Sequence, residues 1–402
     1  MSQIINHQRK ASEVNIIKSL AFLAVVFQSS LIFAVDQGNI SPEETVMIGM
    51  LFNFVKFSAP VFIFVTGFHL IYHHKQQVKY ASYITQKWSE LIVPYLFWSA
   101  IYVISFTNFT STSTLTLSEM IKLTFTGSAA PHLWYVVMVF QFHLVFPLLF
   151  VIFQWLDKKF SSAKLIAFTV GCVAVSYLLL MWLSSRFIFN GNLLTDVAWL
   201  KYTDRSLLFY SFYFFLGGLV ALKLTAWRKF VSKYVALNTF IFLGLFIVVG
   251  YELVAFNGVT QIDLQASTYL KPSMFLYVVS EIILLYGLSM IIVQTRTFLY
   301  KLLAFIGKFT YGSYLAHLFF LELVVTFIEN NHITGHYISL SIAIFIITTV
   351  LSIGFSFIFS HLPFAMAIIG PFEKANWSLP ALIGQLLPKE KPVYSKSLKG
   401  RD

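Results

Sequence analysis

Lys18 and Ser29 interrupt the apolar run NIIKSLAFLAVVFQSSLIF at residues 15–33. In a helix, eleven steps of about 100° overshoot three turns by only about 20°, so the two share a face about 16 Å apart along the axis. Gln28 points about 80° away from that face. Polar groups cost free energy in lipid, so a stripe from the membrane edge to its middle implies a helix that lines a cavity. Lysine at the edge can hold a phosphate as a point charge, or it can simply snorkel to lipid headgroups.

Two further groups carry acid–base chemistry. In SAAPHLWYVVMVFQFHLVFPLLF (128–150), His132 and His143 are again eleven apart, and Trp134 and Tyr135 follow His132. An interfacial aromatic belt accounts for His132, Trp134 and Tyr135 but not for His143 in mid-membrane. FIGKFTYGSYLAHLFFLELVV (305–325) adds Lys308, Tyr311, Ser313, Tyr314, His317 and Glu322, and Glu281 lies in YVVSEIILLYG. His69 reads as interfacial. Histidines and glutamates within or beside spans suffice for general acid–base work. Their spacing fits no zinc pattern, so no metal is expected. The lone Cys172 excludes an internal disulfide and a cysteine zinc site. The absence of a Walker loop, a dinucleotide glycine pattern and a Gly-x-Ser-x-Gly elbow argues against ATP-driven transport and soluble-type hydrolysis.

The elements that position these residues are apolar helices. The chain is 58% hydrophobic and only 11% charged, where soluble domains carry about 25% charged residues. Ten stretches can each cross a hydrocarbon core: 15–35, 46–72, 88–106, 133–153, 164–183, 206–223, 235–256, 273–293, 302–328 and 338–360. They must be helical, because lipid offers the backbone no partners. The fold class is thus an all-α membrane bundle of about ten transmembrane helices. With the N-terminus inside, 22 of the 28 basic residues fall on the cytoplasmic side, which places both termini in the cytoplasm. The outer loops are instead acidic. The net charge of +11 therefore reads as a topology signal and gives no reason to expect a nucleic-acid partner.

The chain divides into a cytoplasmic N-terminal tail (1–14), a ten-span domain (15–360) and a cytoplasmic C-terminal tail (361–402). No signal-peptide pattern precedes the first span. Residues 107–130 begin polar and predict a short helix on the outer face. The outer loop 184–205, with Arg186, Asp204 and Arg205, has the mixed charge to grip a polar substrate.

Six segments resemble the acyltransferase-3 family of integral membrane acyltransferases, over about residues 12–360. They are KSLAFLAVV in the first span, FSAPVFIFVTGF (57–68, with Thr66 in a serine place), KWSELIVPYLFW (87–98), HLWYVVMVFQFHLVFP (132–147), FYFFLGGLVA (212–221) and IGKFTYGSYLAH (306–317, departing at Ala316). The nearest likeness is to the surface-polysaccharide branch, with its intercellular adhesin C-type proteins. The resemblance implies a multi-pass protein of the cell (plasma or inner) membrane that moves an acetyl or succinyl group. The donor it implies is acyl-coenzyme A, held as a substrate with no tightly bound cofactor. The acceptor it implies is a hydroxyl of an envelope glycan or its lipid-linked precursor. Membrane lipids and a polysaccharide synthase are the expected partners.

The family signature is an arginine and, eleven residues on, a histidine in the first span. Here Lys18 takes the arginine place and Ser29 the histidine place, with Gln28 beside it. Neither serine nor glutamine is a base near pH 7, and general-base catalysis contributes about 10²–10⁴-fold. Either His132, His143 or His317 supplies the base from another helix, or the chain has given up acyl transfer and serves as a non-catalytic polysaccharide export or assembly protein. The resulting site places His132, His317, Ser29, Gln28 and His143 at the chemistry and Lys18, Lys87 and Lys75 around the donor. Trp134, Tyr135, Arg186, Asp204, Arg205, Tyr314 and Glu281 are placed around the acceptor.

Overall fold

A computed structural model describes residues 11–36, 41–74, 79–105, 116–160, 162–189, 200–257, 268–333 and 335–373. Nine described helical segments are long and apolar enough to cross a membrane, and a shorter apolar segment covers Leu207–Leu222. The chain is an all-α, multi-span membrane protein. The sixth expected span, 206–223, is met only by that shorter segment.

Helix α1 (Ser12–Asp36) is central, packed against five others, three of which come from the C-terminal third of the chain. Helices α2 (Pro42–Phe54) and α3 (Ser58–His73) fill the second span. The Ser41 side chain accepts from the Glu44 amide, and Pro42 opens the helix where no N–H is needed. The break at residues 55–57 has a local cause. Pro60 has no N–H for the carbonyl four residues back, and its ring crowds that carbonyl. The break brings Lys56 and Ser58 beside the middle of α1.

Helix α4 (Tyr80–Lys87) runs through a wide π-helical turn, Trp88–Ile92, into α5 (Val93–Ser105). The Tyr311 hydroxyl donates to the Leu91 carbonyl in that turn, at 2.8 Å. Helix α6 (Leu117–Thr126) is the short helix expected between residues 107 and 130. Thr116 and Glu119 form its capping box, whose hydrogen bonds hold the Glu119 carboxyl below the usual range. It ends at Gly127 with φ 69°, a left-handed conformation in which a Cβ would also collide with the Trp134 backbone.

The remaining helices are α7 (Trp134–Lys159), α8 (Ala163–Ser184), α9 (Ser211–Leu222), α10 (Leu224–Asn257), α11 (Pro272–Thr295), α12 (Phe298–Asn330), α13 (Tyr337–Phe359) and α14 (Ala365–Ile369). Helices α8 and α10 lie at the periphery. Large apolar side chains such as Phe168, Val175, Phe240 and Ile247 point outward from them, as lipid-facing surfaces require. Helices α3 and α9 meet backbone to backbone. A Cβ on Gly67 would collide with the Phe214 carbonyl, and one on Gly217 with the Phe64 carbonyl.

Helix α12 is the most heavily tied. Gly307 and Gly312, which break the apolar pattern in the sequence, leave it continuous. Gly307 packs on Ser19 and Asn15, and Gly312 on Ile369. The Ser19 hydroxyl lies 2.6 Å from the Leu303 carbonyl and joins α1 to α12. The Ser313 hydroxyl donates to the Ser352 carbonyl at 3.2 Å and meets Ser356 at 3.0 Å. Tyr102 of α5 enters the helical ladder itself. Its hydroxyl donates to the Leu315 carbonyl at 2.7 Å and accepts from the Phe319 amide at 3.2 Å.

The segment after the last span returns to the bundle. The Trp98 indole donates to the Ile368 carbonyl at 2.9 Å, and Phe372 and Glu373 border an internal cavity. The tail beyond residue 373 lies outside the described residues.

Candidate active site

Two cavities enter the bundle along α1. The first, about 590 Å³, is lined by Ser29 and Gln28 of α1, Lys56, Ser58 and Phe62 from the α2–α3 break, His132, Trp134, Tyr135, Tyr269, Tyr314 and Glu322. The second, about 500 Å³, is lined by Lys18, Lys87 and Lys308, the histidines His69, His73, His74 and His143, and one acid, Glu373. Both are lined by Phe62, Tyr135 and Tyr314. Ring centroids of these three lie 5.6, 5.8 and 5.6 Å apart, so an aromatic waist separates the cavities. The stripe does not line a single cavity as expected: α1 presents Lys18 to the second and Ser29, together with Gln28, to the first.

The chemistry in the Ser29 cavity centres on His317. Its ring is fully buried behind Ser29, and Nε2 stands 3.4 Å from the Ser29 hydroxyl. Its Nδ1 lies 2.6 Å from the Tyr314 carbonyl. A carbonyl only accepts, so Nδ1 carries the proton and Nε2 offers a lone pair to Ser29. The His132 ring sits 4.6 Å from the His317 ring, centroid to centroid. Neither nitrogen of His132 makes a well-formed hydrogen bond among the described residues, although the Leu315 backbone is near. Both nitrogens are closed off from the cavity, so a ligand reaches them only if a neighbouring side chain shifts. The Tyr314 hydroxyl donates to the His132 carbonyl and fixes that corner of α7 against α12.

Gln28 accepts from the Ser58 hydroxyl at 3.2 Å, while its amide nitrogen has no partner among the described residues. Tyr269 lies close to both; burial pushes its phenol up to about 12, so at neutral pH it stays protonated and can donate.

Other expected site residues are placed elsewhere. His143 belongs to the Lys18 cavity, 2.6 Å from the Tyr83 hydroxyl, and is on the far side of the waist from Ser29. Lys87 reaches that cavity but pairs with Glu90 at 2.5 Å. Lys75 lies outside the described residues. Arg186 is exposed and lies over the Trp182 ring, away from both cavities. Arg205 donates to the Thr126 carbonyl and, at 2.8 Å, to the Ser128 hydroxyl, which clamps its turn to the end of α6. Asp204 lies beside it, its carboxyl held above the usual range by burial. Neither lines either of these two cavities. Glu281 is buried beside Tyr277 and faces an apolar groove with Leu20, Phe54 and Leu284. Loop charge and intramembrane position marked these residues, but helix rotation and local pairing turn them away. His69 lines the Lys18 cavity, and His132 and Tyr135 are buried and line the first cavity.

Some cavity residues were passed over. Lys56 sits 4.5 Å from the Phe52 ring and 4.8 Å from the Tyr269 ring, at the rim of the Ser29 cavity. Its signal was plain: it is the basic residue well inside a span. Phe62, His73 and Tyr269 carried no such signal, because aromatic residues crowd every helix here.

A family model described as an acyltransferase domain, Acyl_transf_3, matches residues 12–361. Neither a curated protein nor a solved structure matches the chain.

Proposed function

The chain belongs to the acyltransferase-3 family, and from that premise we propose that it moves an acyl group, acetyl or succinyl, from coenzyme A to a glycan hydroxyl. The acceptor in this reading is a cell-surface polysaccharide or its lipid-linked precursor, made by a neighbouring polysaccharide synthase. The protein then resides in the cell membrane with the Lys18 cavity open to the cytoplasm.

The observation that carries the reading is the pair of unlike cavities on one helix. The Lys18 cavity holds three lysines, one of them paired with Glu90, and four histidines beside Glu373, a setting for the phosphates of a nucleotide donor. The Ser29 cavity mixes hydroxyls, amide, carboxylates and aromatic faces, the groups that recognise a sugar. Lys18 and Ser29 are about 16 Å apart, a distance suited to a long, thin pantetheine arm. His317 supplies the base that the first span lacks, and the His132 ring packs beside it.

An exporter that uses the bundle as a conduit fits less well, because three packed aromatic rings stand in the path at its middle. Binding of the donor separates the two. Purified protein should gain thermal stability from acetyl- or succinyl-coenzyme A, by about 2.7 kcal/mol at a hundredfold excess over its dissociation constant. Surface glycan from cells lacking the protein should lose the acyl ester. Unchanged stability with every acyl-coenzyme A and unchanged glycan esters would leave the export reading.

A further inference from the structure

We propose that Ser29 is the nucleophile that carries the acyl group as an ester between donor and acceptor. The proposal rests on the acyl-transfer reading above and gives a covalent role to a residue that stands where the family has a base.

Three observations support it. The first is the dyad: the Ser29 hydroxyl faces Nε2 of His317 at 3.4 Å, and the Tyr314 carbonyl 2.6 Å from Nδ1 leaves Nε2 as the acceptor. Serine beside an imidazole, itself oriented by a third group, is the arrangement of an activated nucleophile. The Ser29 hydroxyl also lies 3.1 Å from the Val25 carbonyl, a resting partner its proton leaves by rotation about the Cβ–Oγ bond, with Oγ in place. The second is order of access. His317 is 0% exposed, whereas Ser29 lines the cavity, so an entering carbonyl carbon meets the hydroxyl before the ring. The third is the waist formed by Phe62, Tyr135 and Tyr314, which both cavities share. Only the thioester end of the donor need pass it to reach Ser29. Once the acyl group is on Oγ the donor withdraws before the acceptor enters, so the two substrates never occupy the Ser29 cavity together.

The bookkeeping of atoms is simple. Ser29 Oγ attacks the thioester carbonyl carbon while its proton passes to Nε2 of His317. The carbon–sulfur bond breaks, and the coenzyme A sulfur leaves with that proton. A sugar hydroxyl then attacks the serine ester and gives its proton to Nε2. The carbon–Oγ bond breaks, and Oγ takes the proton back. No electrons are gained or lost.

The experiment uses the full chain in detergent with acetyl- or succinyl-coenzyme A and no acceptor. The expected result is a burst of about one equivalent of free thiol per protein, with the acyl mass on the α1 peptide that contains Ser29. S29A should lose both burst and adduct while still gaining thermal stability from the donor. S29C should hold the acyl group as a thioester that neutral hydroxylamine removes. H317Q should bind donor without a burst. Glycan acylation by S29A at the native rate would overturn the nucleophile and leave acyl transfer standing. So would loss of activity in S29A when the native protein shows neither burst nor adduct, which makes Ser29 a proton relay. A native chain that neither binds donor nor acylates glycan would overturn both readings together.

Discussion

The two cavities share a helix and a wall of rings yet differ in how their polar groups are held. In the Ser29 cavity the reactive groups are buried and aimed by the backbone: the Tyr314 carbonyl orients His317, and Tyr102 is wedged into the same helix. In the Lys18 cavity the charges sit on long side chains, and Lys87 has a glutamate partner within three residues. One end is built for fixed geometry and the other for charge. Chemistry needs a nucleophile, base and carbon within a fraction of an ångström. Holding a polyanion needs only positive potential, which flexible lysines supply. The comparison predicts that changes in the first cavity act on turnover and changes in the second act on donor affinity.

The largest expected effect is at His317. H317A should lower turnover by about 10²–10⁴-fold while donor-induced thermal stabilisation persists. A parallel fall in donor affinity would show that the cavities are not separate in function. Next is Lys18. Loss of one charge-assisted contact costs about 1.5–3 kcal/mol, so K18A should weaken donor binding about tenfold or more, with turnover at saturation little changed. Titration of thermal stability against donor concentration measures it.

A smaller effect is expected at the waist. Phe62→Leu keeps an apolar side chain, at a cost under about 1.5 kcal/mol, but opens the contact with Tyr135 and Tyr314. Thiol release in the absence of acceptor should rise relative to glycan acylation, because water gains access to the acyl group. A waist that does not separate the cavities would leave that ratio unchanged. Tyr102→Phe removes the hydroxyl wedged between Leu315 and Phe319 and should cost about 1 kcal/mol. Its signature is a lower turnover with an unchanged donor constant, since it positions α12 near His317. The smallest effect is at Arg186, whose exposed ring contact contributes about 0.5–1 kcal/mol at most. R186A should leave both substrate constants unchanged, and a rise in the acceptor constant would return the outer loop to the site.

Much of this was legible in the sequence, and what was not has a consistent cause. Apolar runs fixed the spans and their helical state, because each helix satisfies its own backbone wherever it sits in lipid. The Lys18–Ser29 stripe followed from helical period alone. Pattern also marked His132, Tyr135, Tyr314 and His317 as site residues, and the structure gathers them around Ser29 or the waist. Pattern could not separate His143 from His317, since both are mid-span histidines. Nor could it turn Glu281, Arg186, Asp204 and Arg205 away from the cavities or bring Lys56 in. Those outcomes depend on how helices rotate and slide against one another. Rotation is set by glycines that let backbones touch, as at Gly67 and Gly217, and by hydroxyls that bridge helices, as at Ser19 and Tyr102. Ser29 and His317 are 288 residues apart in the chain. Local periodicity carries no information on such a meeting. The sequence determined that a polar face exists on the first helix; only tertiary packing decided which histidine it meets.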